Sequence, residues 1–390
     1  HKEYRRQRQM CIRDRLKRDS NGLQEGTAPS CASWAKSALL MVLLASTAAG
    51  HHAGTAYDQS KLLELNGTVS KFEFVNPHAY VYFIVQDAKG AQQSWRCELA
   101  ASATLARLGW TKNTFTAGQK VTFKGAAGRN EPNVCVLNSF MMPNGQGFSA
   151  REDFTKGGPN PVATLTKNTA RPARLANGRP NLSGPWMSAG NAADRTSGFM
   201  RGAPGMPATA QDLAQPTAAG AAAGAGYNQP FDDPSIKCDV GNILFGWWHD
   251  QHVNEIVQKD DVITLRYGYM DFVRTVYLNL AAHPQNIKPS RGGHSIGKWD
   301  GDVLVVDTVG LAPGVLNPLV GIMHSNQMHI VERFTLDAAA GTLRREFTAM
   351  DPLYLKGPVT GYDVSRVSDE PFMSYNCKEL SGRNNIRPKS

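Results

Sequence analysis

Gly292–Thr308 reads GGHSIGKWDGDVLVVDT. Two apolar-rich runs flank Asp300-Gly301, a dipeptide favoured where a two-residue turn needs positive φ at both central positions, so the stretch predicts a β-hairpin. That hairpin sets the class of the chain as all-β. Met323–Phe334, MHSNQMHIVERF, carries two more histidines and reads as a strand that could lie beside it. Outward from these, short β-rich runs follow one another at 254–258, 262–267, 272–279, 294–299, 303–308, 328–336, 342–349, 362–367 and 372–376, with no strong helix between them. Successive antiparallel strands of this number predict a meander β-barrel or sandwich over 236–380. A barrel of about eight strands either packs solid or holds one small ligand.

The N-terminal half has a different order. Strands near Leu62–Phe74, Ala79–Asp87 and Gln92–Glu98, a helix over Ala101–Leu108 ending at Gly109, and strands near Gln119–Gly125 and Asn133–Met142 predict an OB-like five-stranded barrel spanning 51–148. Between the two, residues 149–235 accumulate Pro, Gly and Ala and read as a linker, interrupted by an outlying strand near 180–187. Residues 381–390 form a tail.

Charged residues make up 19% and hydrophobic residues 41% of the 390, which excludes a disordered chain. The net charge of +9 does not indicate a nucleic-acid surface: nine Lys/Arg and four Asp/Glu in the first 50 residues supply five of those charges, leaving a diffuse +4. Lys36, the apolar run Ser37–Ala45 and the small residues Ser46–Gly50 predict a signal peptide over 34–50, too short to span a bilayer. Residues 1–33 read as a non-native leader, with His1–Arg15 resembling translated sequencing-adapter read-through. The expected location is the periplasm or the exterior, with no membrane association after signal cleavage. Four cysteines then remain, Cys97, Cys135, Cys238 and Cys377, which suggests two disulfides with three possible connectivities. Pairing within each half gives Cys97 with Cys135, on strands that are neighbours in an OB-like barrel, and Cys238 with Cys377. No Cys/His spacing fits structural zinc.

Two resemblances become visible at this point. Residues 51–148, with His51-His52, Gly67-Thr68-Val69, Phe74–Tyr80 (FVNPHAY) and Trp95, resemble a domain-of-unknown-function family of small exported bacterial proteins. Residues 174–380, with NGRPNLSGPW, GHSIGKWDGDVLVVDT, HSNQMHIVERF and Tyr375–Glu379, resemble a second uncharacterised exported family of soil and aquatic bacteria. Both imply export, and neither implies a reaction. Gly184-Pro185-Trp186 is similar to the first-strand G-x-W of lipocalins.

Three groups of residues can carry chemistry. A terminus created by cleavage after Ala49 or Gly50 places His51 and His52 where a free amine and imidazole can chelate copper, with His78 or His52 completing the site; the alternative is a frayed, solvated terminus, with His78 bonding the turn after Pro77. In the second half, His249, His252, His294, His324 and His329, with Glu332, Asp300 and Asp307, could converge as a His/carboxylate metal centre, while a strand histidine is as often a core or rim residue. Asp302 and Asp307 otherwise read as serving the turn and a solvent-facing strand edge. Phe245, Trp247, Trp248, Tyr267, Tyr269, Phe272 and Tyr277 could line an apolar pocket together with His294 and His329, although core packing is the commoner use of such aromatics. Ser295 beside His294 and Ser325 beside His324 do not make a nucleophile and base, because strand neighbours face opposite ways and no G-x-S-x-G elbow is present. The first expectation is a two-domain β-protein that binds a small apolar or amphipathic ligand and no nucleic acid. The alternatives are a copper-binding or copper-dependent redox protein and a metal-dependent enzyme in the second domain.

Overall fold

The computed structural model describes residues 56–87, 89–156, 171–189, 214–248, 252–318 and 320–379. All of them belong to one unit, residues 49–390. The all-β class holds, in two bodies with separate cores.

The first body is built on β1 (Tyr57–Glu73), β2 (Tyr80–Gln86), β3 (Gln92–Glu98), β4 (Lys120–Gly128), β5 (Val134–Met141) and a short β6 (Gly147–Ser149). The 17-residue β1 pairs with β2 on one side and β4 on the other, with register shifts that let it bend between them. β3 then pairs in parallel with β5, which closes the set, and helix α1 (Ser102–Arg107) lies between β3 and β4 as the OB order requires. Helix α1 stops at Gly109, whose φ of +80° suits glycine and where a Cβ would lie 3.0 Å from the Phe154 backbone. Phe83 stacks on Phe123 at 4.2 Å inside, and Trp110, Phe115, Phe140 and Phe154 complete the aromatic core. Cys97 and Cys135 are direct partners across the β3–β5 pair and form a disulfide.

The second body is a closed barrel of nine strands: β7 (Gly184–Ser188), β8 (Asn254–Gln258), β9 (Val262–Arg266), β10 (Val273–Tyr277), β11 (His294–Asp300), β12 (Val303–Val309), β15 (His329–Asp337), β16 (Thr342–Met350) and β17 (Val359–Val367). They are neighbours in chain order, with β17 returning to β7. A hairpin of β13 (Gly314–Asn317) and β14 (Ile322–His324) stands outside this sheet. The β11–β12 hairpin is present, but Asp300 pairs with Val303, so the turn centres on Gly301-Asp302, one residue later than the Asp-Gly dipeptide suggests. Only Gly301 of the two has positive φ, the pattern of a turn with glycine first.

The meander expectation fails at one joint. β10 and β11 pair in parallel, with Val276 opposite Ser295 and Tyr277 opposite Ile296. Parallel neighbours need a connection that turns back, here residues 278–293. That loop is held by Ala312 N–H donating to Ser290 O at 2.8 Å and by Leu278 N–H donating to Asp261 O at 2.8 Å.

Alternation assigns the two faces of each strand. On β12, Leu304, Val306 and Thr308 are buried, and on β15 Ile330, Glu332 and Phe334 are buried. The interior holds ions as well as hydrocarbon. Glu332, fully buried, pairs with Arg274 on one side and with Arg345 at 3.2 Å on the other, and Arg345 continues to Asp363 at 2.9 Å. Arg274 also donates to Ser295 Oγ at 2.9 Å and Thr308 Oγ1 at 2.8 Å. Burial alone raises a carboxyl such as Glu332, but Arg274 and Arg345 outweigh it and hold the group below its ordinary range. Helix α2 (Ile243–Trp248) drops Ile243, Leu244 and Trp247 into the same core, and Arg345 donates to Leu244 O at 3.1 Å.

Two stretches differ from their sequence reading. Residues 214–237, placed in the linker, contain short helices with buried positions at Gly220, Pro230, Ser235 and Ile236. Residues 372–376 form no strand but a strap. Asp271 accepts from the N–H groups of Tyr375 and Asn376, and Cys377, disulfide-bonded to Cys238, bridges to Asn76 of the first body. Lys378 N–H donates to Asn76 O at 2.7 Å, and Arg107 pairs with Glu370 at 2.9 Å. Both disulfides therefore join the cysteines paired within each half.

Candidate functional site

The parity that buries Ser295, Thr308 and Ile330 sends their neighbours outward. Ile296, Asp307 and Val331 stand opposite one another across β11, β12 and β15, and His294 and His329 lie two residues before Ile296 and Val331. Period two thus puts His294, Asp307 and His329 on one outer face of the barrel wall. The loop that returns from β10 brings His283 to the same place.

Four side chains meet there. His329 Nε2 lies 3.0 Å from Asp307 Oδ1, and His283 Nε2 lies 3.0 Å from the same oxygen. His283 Nδ1 is 2.8 Å from His294 Nδ1. The His294 ring stacks on Tyr277 with centroids 5.2 Å apart and planes at 17°. The group is open to solvent: His283 is 18% exposed, His329 35% and Asp307 39%. Apolar side chains border it. Tyr277 and Met350, the latter opposite His329 on β16, are each 38% exposed, as is Leu280 in the His283 loop.

With Asp307 ionised and the imidazoles neutral, one arrangement of protons satisfies these contacts. A carboxylate only accepts, so both Nε2 atoms facing Asp307 carry hydrogen. A neutral His283 with its proton on Nε2 has a lone pair on Nδ1, which must accept from His294 Nδ1–H. The free lone pair of His294 then sits on Nε2. The result is a chain from Asp307 through His283 to His294. Burial lowers the His294 pKa, which favours the neutral imidazole.

Other candidate residues lie elsewhere. Glu332 is on the inner face of β15, three residues from His329 and committed to two arginines, so it is not a ligand of this cluster. Asp300 pairs with Arg333 at 2.9 Å, and Asp302 with Arg174 at 2.6 Å. His324 is buried on β14 with Nδ1 3.2 Å from Ser325 O, and His252 is buried against Tyr269 and Tyr375. Ser325 donates to Asp351 at 2.8 Å, and Ser295 bonds Arg274 and Thr308, so both serines serve the fold. Trp247 and Tyr267 pack edge to face at 5.3 Å in the barrel core, and Tyr269 is buried beside Phe245. The structure brings His294 and His329 together but separates them from these aromatics. Trp248 ends helix α2, and its side chain lies outside the described residues, as do His51, His52 and His249.

In the first body His78 is buried with Nδ1 2.7 Å from Glu98 Oε1, and Glu98 also accepts from Tyr57 at 2.9 Å and Tyr80 at 3.2 Å. Among the described residues no group of three or more His, Cys, Asp or Glu side chains is arranged to hold a metal ion. A groove of about 660 Å³ crosses the outer face of the same body, lined by Asn66, Thr68, Gln86, Gln92, Lys120 and Thr122 among others. No helix among the described residues is long and apolar enough to cross a membrane.

Sequence reasoning missed His283. It sits outside any periodic run, and its only local signal is the following Pro284, which marks a loop.

A family of unknown function, DUF6152, matches residues 39–135, within and just ahead of the first body. No curated protein and no solved structure matches the chain.

Proposed function

We propose that this protein is an exported two-domain β-protein that binds a small amphipathic molecule on the wall of its second barrel. The observation that carries the reading is the cluster of His283, His294, His329 and Asp307, open to solvent and bordered by the exposed Tyr277, Leu280 and Met350. Polar groups that converge beside apolar surface are what an amphipathic ligand needs. The barrel interior offers less, since Trp247, Tyr267, Phe334 and the arginine–carboxylate network fill it. Export is consistent with the two disulfides, which persist in oxidising compartments.

The test is a titration with decanoate, below micelle-forming concentrations, followed by imidazole proton–carbon correlation spectra. Saturable shifts at His294 and His329, with the buried His252 and His324 unmoved, are expected. Absence of saturable shifts at the cluster, or shifts confined to the buried histidines, overturns the reading.

A further inference from the structure

The cluster contains more than recognition requires. A binding rim needs polar groups within reach of a ligand, but here a carboxylate is spent on one imidazole, and that imidazole on another. Asp307 accepts from His283, which fixes the His283 tautomer. His283 then accepts from His294, which leaves His294 with a lone pair on Nε2. His294 is held in its rotamer from a second side by the Tyr277 ring stacked against it. His329 occupies the other approach to the same Asp307 oxygen, so the carboxylate is anchored by two N–H donors. An oriented imidazole, backed by a group that stabilises positive charge as it develops, is the arrangement of a general base.

We infer that His294 is the general base of an acid–base activity toward small amphipathic carbon acids, with His283 and Asp307 as positioning residues. The inference rests on the binding reading given above, because the substrate must first lie against the Tyr277 and Met350 rim. In the step, His294 Nε2 takes a proton from a polarised C–H, and the C–H electron pair moves into the substrate. His294 becomes an imidazolium, whose charge is shared along the hydrogen bonds through His283 to Asp307. The proton returns to the rearranged substrate or to solvent. No oxidant, reductant or metal is required.

The probe is 5-nitrobenzisoxazole, an aromatic carbon acid that needs only a base. Loss of its C3 proton forms the nitrile as the ring N–O bond breaks, and the electron pair leaves on the phenolate oxygen, followed by absorbance. 5-Nitroindole, of similar shape without the N–O bond, reports binding through the imidazole resonances in the same preparation. Wild-type protein is expected to exceed an equal concentration of free imidazole by roughly a hundredfold, and His294→Ala to lose that excess. Asp307→Asn is expected to reduce the rate by roughly tenfold and to move the acid limb of its pH profile downward, because the imidazolium loses its counter-charge. A merely structural Asp307 would lower the rate with the limb unmoved. The groups facing His294 in this titration are Tyr277 on β10, His283 in the loop, Asp307 on β12 and His329 on β15, and folding of each variant is checked by near-ultraviolet circular dichroism. Binding of 5-nitroindole with elimination no faster than free imidazole overturns the general base alone. Failure of 5-nitroindole to shift the cluster overturns the binding reading beneath it.

Discussion

His294 and Glu332 stand on strands of one sheet and meet opposite fates, because one faces out and the other in. His294 keeps a neutral imidazole through burial. Its titration, followed by imidazole resonances, is expected to fall below the ordinary value near 6.5. Glu332 is held ionised between Arg274 and Arg345. Its native pKa lies below the unfolded value, so its contribution to stability is complete above the unfolded pKa and is lost as pH falls through the native one. Urea unfolding of Glu332→Gln from pH 2 to 5 is therefore expected to show a shallower pH slope than wild type. At neutral pH the same variant leaves two buried guanidinium groups short of an acceptor and is expected to lose roughly 3–5 kcal/mol.

Among the elements, helix α2 depends most on one neighbour. Asn242 Oδ1 accepts from Leu244 N–H at 3.0 Å and Phe245 N–H at 2.9 Å, and its Nδ2 donates to Val315 O at 2.8 Å and Leu316 O at 2.9 Å. One buried side chain thus caps the helix and ties it to β13. Asn242→Ala removes the cap and leaves buried carbonyls unpaired, an expected loss of about 2–4 kcal/mol by chemical denaturation. Asn242→Asp, which keeps the acceptor and loses the donors, separates the two contributions. The loop 278–293 is the other decisive element. A closed barrel of nine strands must contain one parallel pair, and this loop places it between β10 and β11 and so returns His283 to the start of β11.

At the scale of the whole molecule, the C-terminal strap connects the two bodies. The Cys238–Cys377 disulfide closes 139 residues, and the strap reaches Asn76, Glu73 and Arg107 of the first body from there. In the chain-entropy view, a closure of this length stabilises by up to about 5 kcal/mol. Replacing both cysteines by alanine is expected to free the strap and to separate the unfolding of the two bodies into distinct calorimetric transitions. A single transition in that variant would show that the remaining ion pairs and hydrogen bonds suffice to couple them.

Much of this architecture was legible locally. Asp307 read as solvent-facing, Asp300-Gly301 marked the hairpin to within one residue, and the strand–helix order of the first body identified its closure. The pairing of Cys97 with Cys135 is one that order allows, and the structure makes it. These features depend on residues a few positions apart, or on the number and order of strands. The parallel β10–β11 joint, the arginines that claim Glu332 and the arrival of His283 beside His294 depend on something else. They require the barrel to close and a structureless loop to turn back, events that bring together residues with no shared period. The chain alone therefore determined where its strands lie and in what order, while only the tertiary structure decided which faces turned outward and became neighbours.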